Sequence, residues 1–238
     1  MIASDTKKEN ASVDMSFGPV SSRTTIQDGV YQQLRQALMN GQFNPAQSLT
    51  IAGLAETFGT SNMPVREALR RLAAENALEI ASNGSARVPV VTAARLDDLC
   101  RARIVVEALA TELGAPRLTP KDLEILKGIV SEQKEIGRDK NIYTLITKNQ
   151  QFHFTIYRAS GSDVLIQLIE TLWLRFGPYM RMLSTHVAPL IRAGESEPSG
   201  RHIAIVEALE SKDFARVREE IIADISATQE VLRPLCPE

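Results

Sequence analysis

The chain has 238 residues, and 44% of them are apolar, which is enough to bury two hydrophobic cores. Its formal net charge is −2, which excludes a protein that binds nucleic acid through a broad positive field. Residues 21–90 carry six arginines against five acidic residues. Any affinity for DNA must therefore depend on the placement of single arginines and on dimerisation.

The first 22 residues are predicted to be a disordered tail. They are polar and lack the apolar core of a signal peptide, and no later run reaches the length of a membrane span. Cys100 and Cys236 lie far apart in the sequence and match no metal-binding or redox spacing, which is typical of a reducing compartment. We therefore expect a cytoplasmic protein that does not contact a membrane.

Residues 49–72 predict two short helices joined by a tight turn. Gly59 ends the first helix, Ser61 can cap the second, and Pro64 falls in a first turn, where its missing N–H costs little. The residues at helical spacing that face inward are Ile51, Leu54, Ala55 and Phe58 in the first helix and Val65, Ala68, Leu69 and Leu72 in the second. Polar side chains at the start of the second helix then point outward, as a reader of the major groove requires.

Helical spacing alone leaves an ordinary helical hairpin with a solvated basic face as an equal alternative. The next segment favours the DNA reader. Residues 78–81 and 86–91 are strand-like runs on either side of Asn83 and Gly84, and Asn-Gly is a strong hairpin signal. Arg87 follows this turn and is placed to meet a phosphate. Residues 23–91 are thus predicted to form a winged helix-turn-helix domain.

Residues 92–238 predict an all-α bundle of six or seven helices, so the fold class is mainly α. The first long helix covers about residues 95–116, and a capping pattern at Thr119 and Pro120 starts the next. Further helices are expected at about 140–160, 162–192, 200–211 and 213–233. The predicted buried stripe of the first helix is Leu99, Ala102, Val106, Leu109 and Leu113.

Four side chains of this bundle form a candidate metal site. Asn149 and His153 are four residues apart and point to the same side of one helix. His202 and Asp224 belong to two successive helices, and an antiparallel hairpin would bring them to similar height. Four nitrogen and oxygen ligands suit a divalent transition metal such as zinc or nickel. From spacing alone, the alternative is a pair of ordinary core or surface histidines.

The N-terminal pattern resembles the winged-helix domain of GntR-family transcription regulators over residues 24–90. The residues that carry the resemblance are Tyr31, Leu34, Arg35, Ala37, Leu38, Gly41, Pro45, Leu49, Leu54, Ala55, Phe58, Gly59, Ser61, Pro64, Val65, Arg66, Glu67, Ala68, Leu69 and Leu72. The resemblance implies a bacterial protein that binds double-stranded DNA. The candidate DNA-contacting residues are Arg35, Ser61, Asn62, Met63, Arg66, Arg70, Asn83, Gly84 and Arg87.

The C-terminal half resembles the FCD domain, the effector module of FadR-type GntR regulators. The matching pattern is Asn149-x-x-Phe152-His153, then His202-Ile203, with Asp224 standing where the last histidine is usual. Many FCD domains bind a metal, so the resemblance supports the ligand set of Asn149, His153, His202 and Asp224. A carboxylate remains a competent ligand at the last position.

Arg103 is the candidate effector-binding residue. The resemblance implies an arginine three residues before an apolar residue and a glutamate, facing the effector pocket, and Val106 and Glu107 match that pattern. The alternative is a surface ion pair between Arg103 and Glu107 one helical turn apart. In the pocket, Arg103 would offer a planar pair of donors to a carboxylate, so the expected effector is a small organic acid.

These expectations combine into a homodimeric, ligand-responsive transcription regulator that binds a palindromic operator and is not an enzyme. One alternative is a metal-dependent enzyme built on the helical bundle, although Glu107 is its one well-placed general base. A second alternative is a regulator that senses acyl-CoA without a metal. His153 and His202 disfavour it, because such a pocket has no need of them.

Overall fold

The computed structural model describes residues 24–81, 85–139, 142–193 and 199–237. Within these ranges nine α-helices and three short strands follow one another along the chain. The helices are α1 (Thr24–Met39), α2 (Ile51–Phe58), α3 (Asn62–Ala74), α4 (Ala93–Gly114), α5 (Pro120–Asp139), α6 (Ile142–Arg158), α7 (Asp163–Ala193), α8 (Gly200–Glu210) and α9 (Phe214–Leu232). The strands are β1 (Ser48–Leu49), β2 (Glu79–Ile80) and β3 (Ala86–Arg87). The predicted fold class is confirmed, and residues 1–23, with the expected tail, lie outside the described ranges.

The helix-turn-helix forms where the sequence pattern predicts it. Thr50 caps α2 by accepting a hydrogen bond from the Gly53 N–H at 3.2 Å, and Gly59 ends that helix with a φ of +60°. Ser61 occupies the N-cap position of α3, but its side chain makes no capping hydrogen bond, contrary to the predicted cap. The four apolar residues predicted to face inward from α3 are buried.

The wing is an antiparallel sheet with the strand order β1, β3, β2. Glu79 pairs with Arg87 on one side of β3, and Ser48 pairs with Arg87 on the other. The sequence analysis did not predict β1, because two residues are too few to show alternation. The hairpin turn, with Asn83 and Gly84, lies outside the described residues.

The buried face of α4 differs from the predicted stripe. Leu99 is buried as expected, but Leu109 and Leu113 are 44% and 39% exposed. The residues that α4 buries are Leu96, Leu99, Cys100, Arg103, Glu107, Ala108, Ala110, Thr111 and Gly114. The prediction was wrong for Leu109 and Leu113 because α4 carries apolar residues on several sides, so spacing could not identify the inward face.

The winged domain rests on the bundle through α1 and α7. A Cβ atom added at Gly177 would lie 2.1 Å from the backbone oxygen of Leu38, so only glycine permits this approach of the two helices. Tyr179 donates a hydrogen bond from its hydroxyl to the backbone oxygen of Thr92 at 3.0 Å, just before α4 begins. The long helix α7 therefore joins the DNA-reading domain to the centre of the bundle.

Candidate nucleic-acid interface and candidate metal centre

The start of α3 presents an exposed, mostly polar surface. Ser61, Asn62, Met63 and Arg66 are all exposed, and Met63 reaches 60% exposure. They are exposed because the apolar residues of α3, spaced three and four apart, turn the other side of the helix into the core. Four of the predicted DNA-contacting side chains therefore share one accessible face.

Arg66 is free to bind a ligand, because it forms no hydrogen bond or ion pair with any residue in the described ranges. Arg70 instead pairs with Glu67 at 3.1 Å on the exposed side of α3. In the wing, Arg87 pairs with Glu79 of the neighbouring strand at 2.7 Å. Exposed pairs of this kind are weak, so a phosphate can replace the carboxylate as partner.

Arg35 does not lie on this surface. Its guanidinium approaches Glu75 at 3.9 Å and Glu170 of α7 at 3.2 Å, and its side chain is only 17% exposed. The prediction that Arg35 contacts DNA stays a prediction, and in this structure its guanidinium pairs with two carboxylates. Arg35 is held between the two domains, because α1 packs its outer face on α7 and not on solvent.

A cavity of about 180 Å³ lies in the centre of the helical bundle. Helices α4, α5, α6, α7, α8 and α9 all contribute to its wall. The polar and charged residues that line it are Arg103, Gln133, Asn149, His153, Ser184, His202, Asp224 and Thr228. The predicted effector-binding residue and all four predicted metal ligands thus meet in one place.

The two histidines and Asp224 form a tight cluster within this cavity. Their nearest ligand atoms all lie within 4.8 Å of one another. The Nε2 atoms of His153 and His202 are 3.3 Å apart, and the Nε2 atom of His153 is 3.4 Å from Oδ2 of Asp224. Helices α8 and α9 run as the predicted hairpin, which brings His202 and Asp224 to the same height.

The other ring nitrogen of each histidine is already engaged. Nδ1 of His202 lies 2.7 Å from the side-chain oxygen of Gln133, so this nitrogen must donate. Nδ1 of His153 lies 3.2 Å from the hydroxyl of Tyr157, which itself donates to Glu107 at 2.7 Å. When both imidazoles are neutral, their Nε2 atoms are therefore acceptors that face the Asp224 carboxylate. Two neutral imidazole nitrogens and one carboxylate are a ligand set for a cation.

Burial and neighbouring charge shift the pKa values of this cluster. Burial, aided by the nearby His153, lowers the pKa of His202 to about 3, so its imidazole is neutral. Burial alone would raise the pKa of Asp224, but the hydrogen bond and charge of His153 outweigh it and lower that pKa. A neutral imidazole and an ionised carboxylate are the forms that bind metal.

Arg103 forms an ion pair on its own helix and also lines the cavity. It forms the intrahelical ion pair with Glu107, at 2.6 Å from Nε and 3.3 Å from Nη2. The pair is buried and not on the surface, since Arg103 is 6% exposed and Glu107 fully buried. The guanidinium also lies 4.5 Å from the ring centre of Phe176 and lines the cavity.

Comparisons with known proteins cover both domains of the chain. A model described as bacterial regulatory proteins of the gntR family matches residues 26–88, and the FCD domain model matches residues 98–227. The chain belongs to the GntR family. The HTH-type transcriptional regulator McbR of Escherichia coli (strain K12) is 33% identical over 184 residues, which cover 77% of this chain and 82% of McbR.

A solved structure of E. coli McbR/YncC has the same fold as this GntR regulator, with a TM-score of 0.79 at 28% identity. The superposed region covers 89% of this chain and 98% of the McbR/YncC chain. The HTH-type transcriptional regulator YdhC of Bacillus subtilis (strain 168) is 26% identical over 211 residues, which cover 87% of this chain and 91% of YdhC. This GntR regulator is therefore a DNA-binding transcription regulator and not an enzyme. No helix in the described ranges has the length and apolar character to cross a membrane.

Sequence reasoning missed two residues of the candidate metal centre in this GntR regulator. Tyr157 follows His153 by four residues, so its position on the same face of α6 was available from spacing. Gln133 gave no such signal, because α5 meets α8 only in the folded bundle. Glu107 is the candidate general base of the enzyme alternative. Its carboxylate already accepts hydrogen bonds from Arg103 and Tyr157.

Proposed function

We propose that the protein is a homodimeric regulator whose binding to a palindromic operator is controlled by a small carboxylate effector held beside a divalent metal ion. The observation that carries the proposal is the cluster of two histidine nitrogens and one carboxylate inside a cavity of the FCD domain. The DNA-binding part of the function follows from the family, and the metal, the effector and the dimer are the proposed parts.

The operator is read by the exposed start of α3 and by the wing. Asn62 and Arg66 can reach base edges in the major groove, where an arginine contact to guanine is worth about 1–3 kcal/mol of discrimination. Arg70 and Arg87, now in exposed ion pairs, can turn to phosphates, and Ser61 has a hydroxyl that makes no capping bond. One recognition helix per chain calls for two chains on a site with two-fold symmetry.

The metal would be held by His153, His202 and Asp224, with Asn149 one helical turn before His153 on the same cavity wall. The residues fit a divalent ion such as zinc or nickel, because both imidazoles present a bare Nε2 and both Nδ1 atoms are fixed by buried partners. When bound, the ion supplies positive charge and open coordination positions beside His153, His202 and Asp224 in the cavity.

The charge of the cavity makes an acidic effector depend on the metal. Arg103 carries a positive charge, whereas Glu107 and Asp224 each carry a negative one, so the ionised site has a net charge of −1 without metal. A divalent cation changes this to +1. In a buried site such a change decides whether an anion is attracted or repelled.

Arg103 would then orient the carboxylate. Its Nε and Nη2 atoms face Glu107, which leaves the N–H groups of Nη1 and the outer N–H of Nη2 for a ligand. Because Glu107 and the stacked Phe176 hold the guanidinium in place, little side-chain entropy is lost when the ligand binds. The size of the cavity, about 180 Å³, suits a small acid better than a long acyl chain.

Helix α7 can carry the signal to the DNA-binding domain. Phe176, Met180 and Ser184 line the cavity, while Gly177 on the same helix touches Leu38 of the winged domain. An effector that favours one position of α7 therefore also favours one position of α1. A ligand switches the protein only if its affinity differs between the two arrangements.

The test is calorimetric titration with a panel of hydroxy, keto and sugar acids, before and after treatment with a chelator. We expect an acid to bind only when metal is present, and to change the affinity for DNA upstream of the protein's own gene in a gel-shift titration. An effector that is uncharged, or that binds equally well after metal removal, would contradict the proposed pocket chemistry and leave the family assignment unaffected.

A further inference from the structure

The central cavity has a polar half and an apolar half. The polar half holds Arg103 and the candidate metal centre. The other half is lined by aliphatic side chains from α6 and α7, which are Ile142, Leu145, Ile146, Leu183, Val187 and Ile191. We call this part of the cavity the apolar half.

The two halves are separate because α6 and α7 run antiparallel along the cavity. The rings of His153 and Trp173 lie 5.6 Å apart at one end of this helix pair. Near the other end, the Tyr143 hydroxyl accepts a hydrogen bond from Arg181. The wall therefore changes from polar to aliphatic toward the start of α6 and the end of α7. Ile146 is seven residues before His153, which is about 10 Å along the axis of α6.

The apolar half offers a ligand no free polar side chain among the described residues. Ser184 lies beside Leu183 on the cavity wall, but its hydroxyl donates to the backbone oxygen of Arg181 at 2.8 Å. Asn149 and Thr228 are each one helical turn from a candidate metal ligand, so they belong to the boundary with the polar half. A polar group placed deep in the apolar half would lose its hydrogen bonds to water without replacement.

The charge of the polar half suits one carboxylate. With the proposed divalent ion, Arg103, Glu107 and Asp224 give the site a net charge of +1, which one carboxylate brings to zero. A second carboxylate on the same ligand would lie toward the apolar half. Arg103 is the one lysine or arginine among the described residues that line the cavity, so that carboxylate would be buried without a charge partner.

We infer that the effector is a monocarboxylate with an apolar tail, whose carboxylate lies in the polar half and whose tail lies between α6 and α7 in the apolar half. This inference rests on the carboxylate site of the proposed function and adds the chemistry of the rest of the ligand. Ile142, Leu183 and Val187 are only half-buried, so a tail would remove apolar surface from water. Sugar acids and dicarboxylates are the classes that this wall disfavours.

Trp173 provides an optical probe of the cavity. It is the one tryptophan of the chain, it lines the cavity, and its side chain is buried. Its indole N–H has no hydrogen-bond partner among the described residues. A ligand in the polar half changes the surroundings of this ring, so the intrinsic fluorescence of the protein should report binding.

The experiment compares acids on the zinc-loaded full-length protein, by titration of the Trp173 fluorescence and by calorimetry. Hexanoate, gluconate and adipate have carbon chains of equal length. The tail of gluconate carries hydroxyl groups, and that of adipate ends in a second carboxylate. We expect the Kd of hexanoate to be about a hundredfold lower than that of either other acid. From acetate through butanoate to hexanoate, each added methylene should tighten binding about fourfold.

The outcomes separate this inference from the proposed function. Gluconate or adipate that binds as tightly as hexanoate would overturn the apolar tail and leave the metal-dependent carboxylate site standing. Equal Kd values for acetate and hexanoate would do the same. If none of these acids binds the zinc-loaded protein, both the apolar tail and the carboxylate effector are overturned.

A pair of variants on α7 tests where the tail lies. Leu183→Asn should weaken hexanoate binding about tenfold and leave acetate binding unchanged, because the new amide lies beside the tail and not beside the carboxylate. Leu168→Asn is the matched control, since Leu168 is 49% exposed on the same helix and does not line the cavity. Equal Kd values of hexanoate for the two variants would contradict the tail position. The comparison of acids on the wild type needs no variant, so it remains decisive if Leu183→Asn does not fold.

Discussion

The Nε2 atoms of His153 and His202 lie 3.3 Å apart, and His153 Nε2 lies 3.4 Å from Oδ2 of Asp224. Both Nδ1 atoms face buried partners, Tyr157 and Gln133, that fix them as donors. When both imidazoles are neutral, their Nε2 lone pairs repel each other unless a cation lies close to both, and the Asp224 carboxylate adds a third lone pair. This arrangement leads to the first prediction.

Replacing His153 with alanine should remove most of the bound metal. The substitution deletes the ligand that is within 3.4 Å of both other donors, so the ion keeps only His202 and Asp224 as strong ligands. Elemental analysis after dialysis measures the metal content per chain. His186→Ala is the control, because His186 is exposed and is not among the residues that line the cavity. Equal metal in wild type and both variants would contradict the site.

Arg66→Ala should weaken operator binding by about 1–3 kcal/mol, or roughly tenfold to a hundredfold, if Arg66 contacts a base or a phosphate. No internal partner in the described ranges competes for this guanidinium. The substitution should therefore lower the affinity for DNA without lowering the stability of the fold. Gel-shift titration measures the affinity. Arg216→Ala, on the exposed side of α9, should bind as the wild type does. If Arg66→Ala binds equally well, α3 is not the recognition helix.

Arg103→Ala should abolish binding of an acidic effector and also lower stability. Removal of the guanidinium leaves the Glu107 carboxylate buried without its charge partner, and breaking a buried pair in this way costs about 3–5 kcal/mol. The double variant Arg103→Met with Glu107→Leu removes both charges and should recover stability without recovering effector binding. Calorimetry and thermal unfolding distinguish these two effects. Effector binding by the double variant would show that Arg103 is not part of the pocket.

Gly177→Ala should disturb the contact between the domains. The new methyl group would lie 2.1 Å from a backbone oxygen of Leu38, which cannot move aside as a side chain could. We expect a loss of about 1–3 kcal/mol in the free energy of unfolding. In Gly128→Ala the added methyl meets nothing within 4 Å, so this control should be neutral or more stable. Chemical denaturation of the two variants measures the difference, and equal midpoints would contradict the close packing of α1 on α7.

The two cysteines should differ in reactivity. Cys100 is fully buried, and burial raises the pKa of its thiol to about 11, so the reactive thiolate is rare and shielded at pH 8. Cys236 is half-buried, so a reagent can reach its sulfur, although burial raises the pKa of this thiol as well. A colorimetric thiol reagent at pH 8 should label one cysteine per native chain and two after denaturation. Native Cys236→Ser should not react, and labelling of that variant would contradict the burial of Cys100.

The sequence by itself determined the local elements of both domains. Gly59 and the apolar spacing of α2 and α3 predicted the helix-turn-helix, because helix ends and helix faces depend on near neighbours in the chain. Asn149 and His153 could be placed on one side of α6 for the same reason. His202 and Asp224 could be brought to one height because α8 and α9 are joined by a short connection.

Only the tertiary structure decided which faces meet. Leu109 has the spacing of a core residue but is exposed, whereas Arg103 and Glu107 of the same helix are buried as a pair. Arg35 matched a DNA-binding pattern, yet Glu170, 135 residues later, holds it between the domains. Periodicity describes neighbours on one helix, and it carries no information about which distant helix will cover that side.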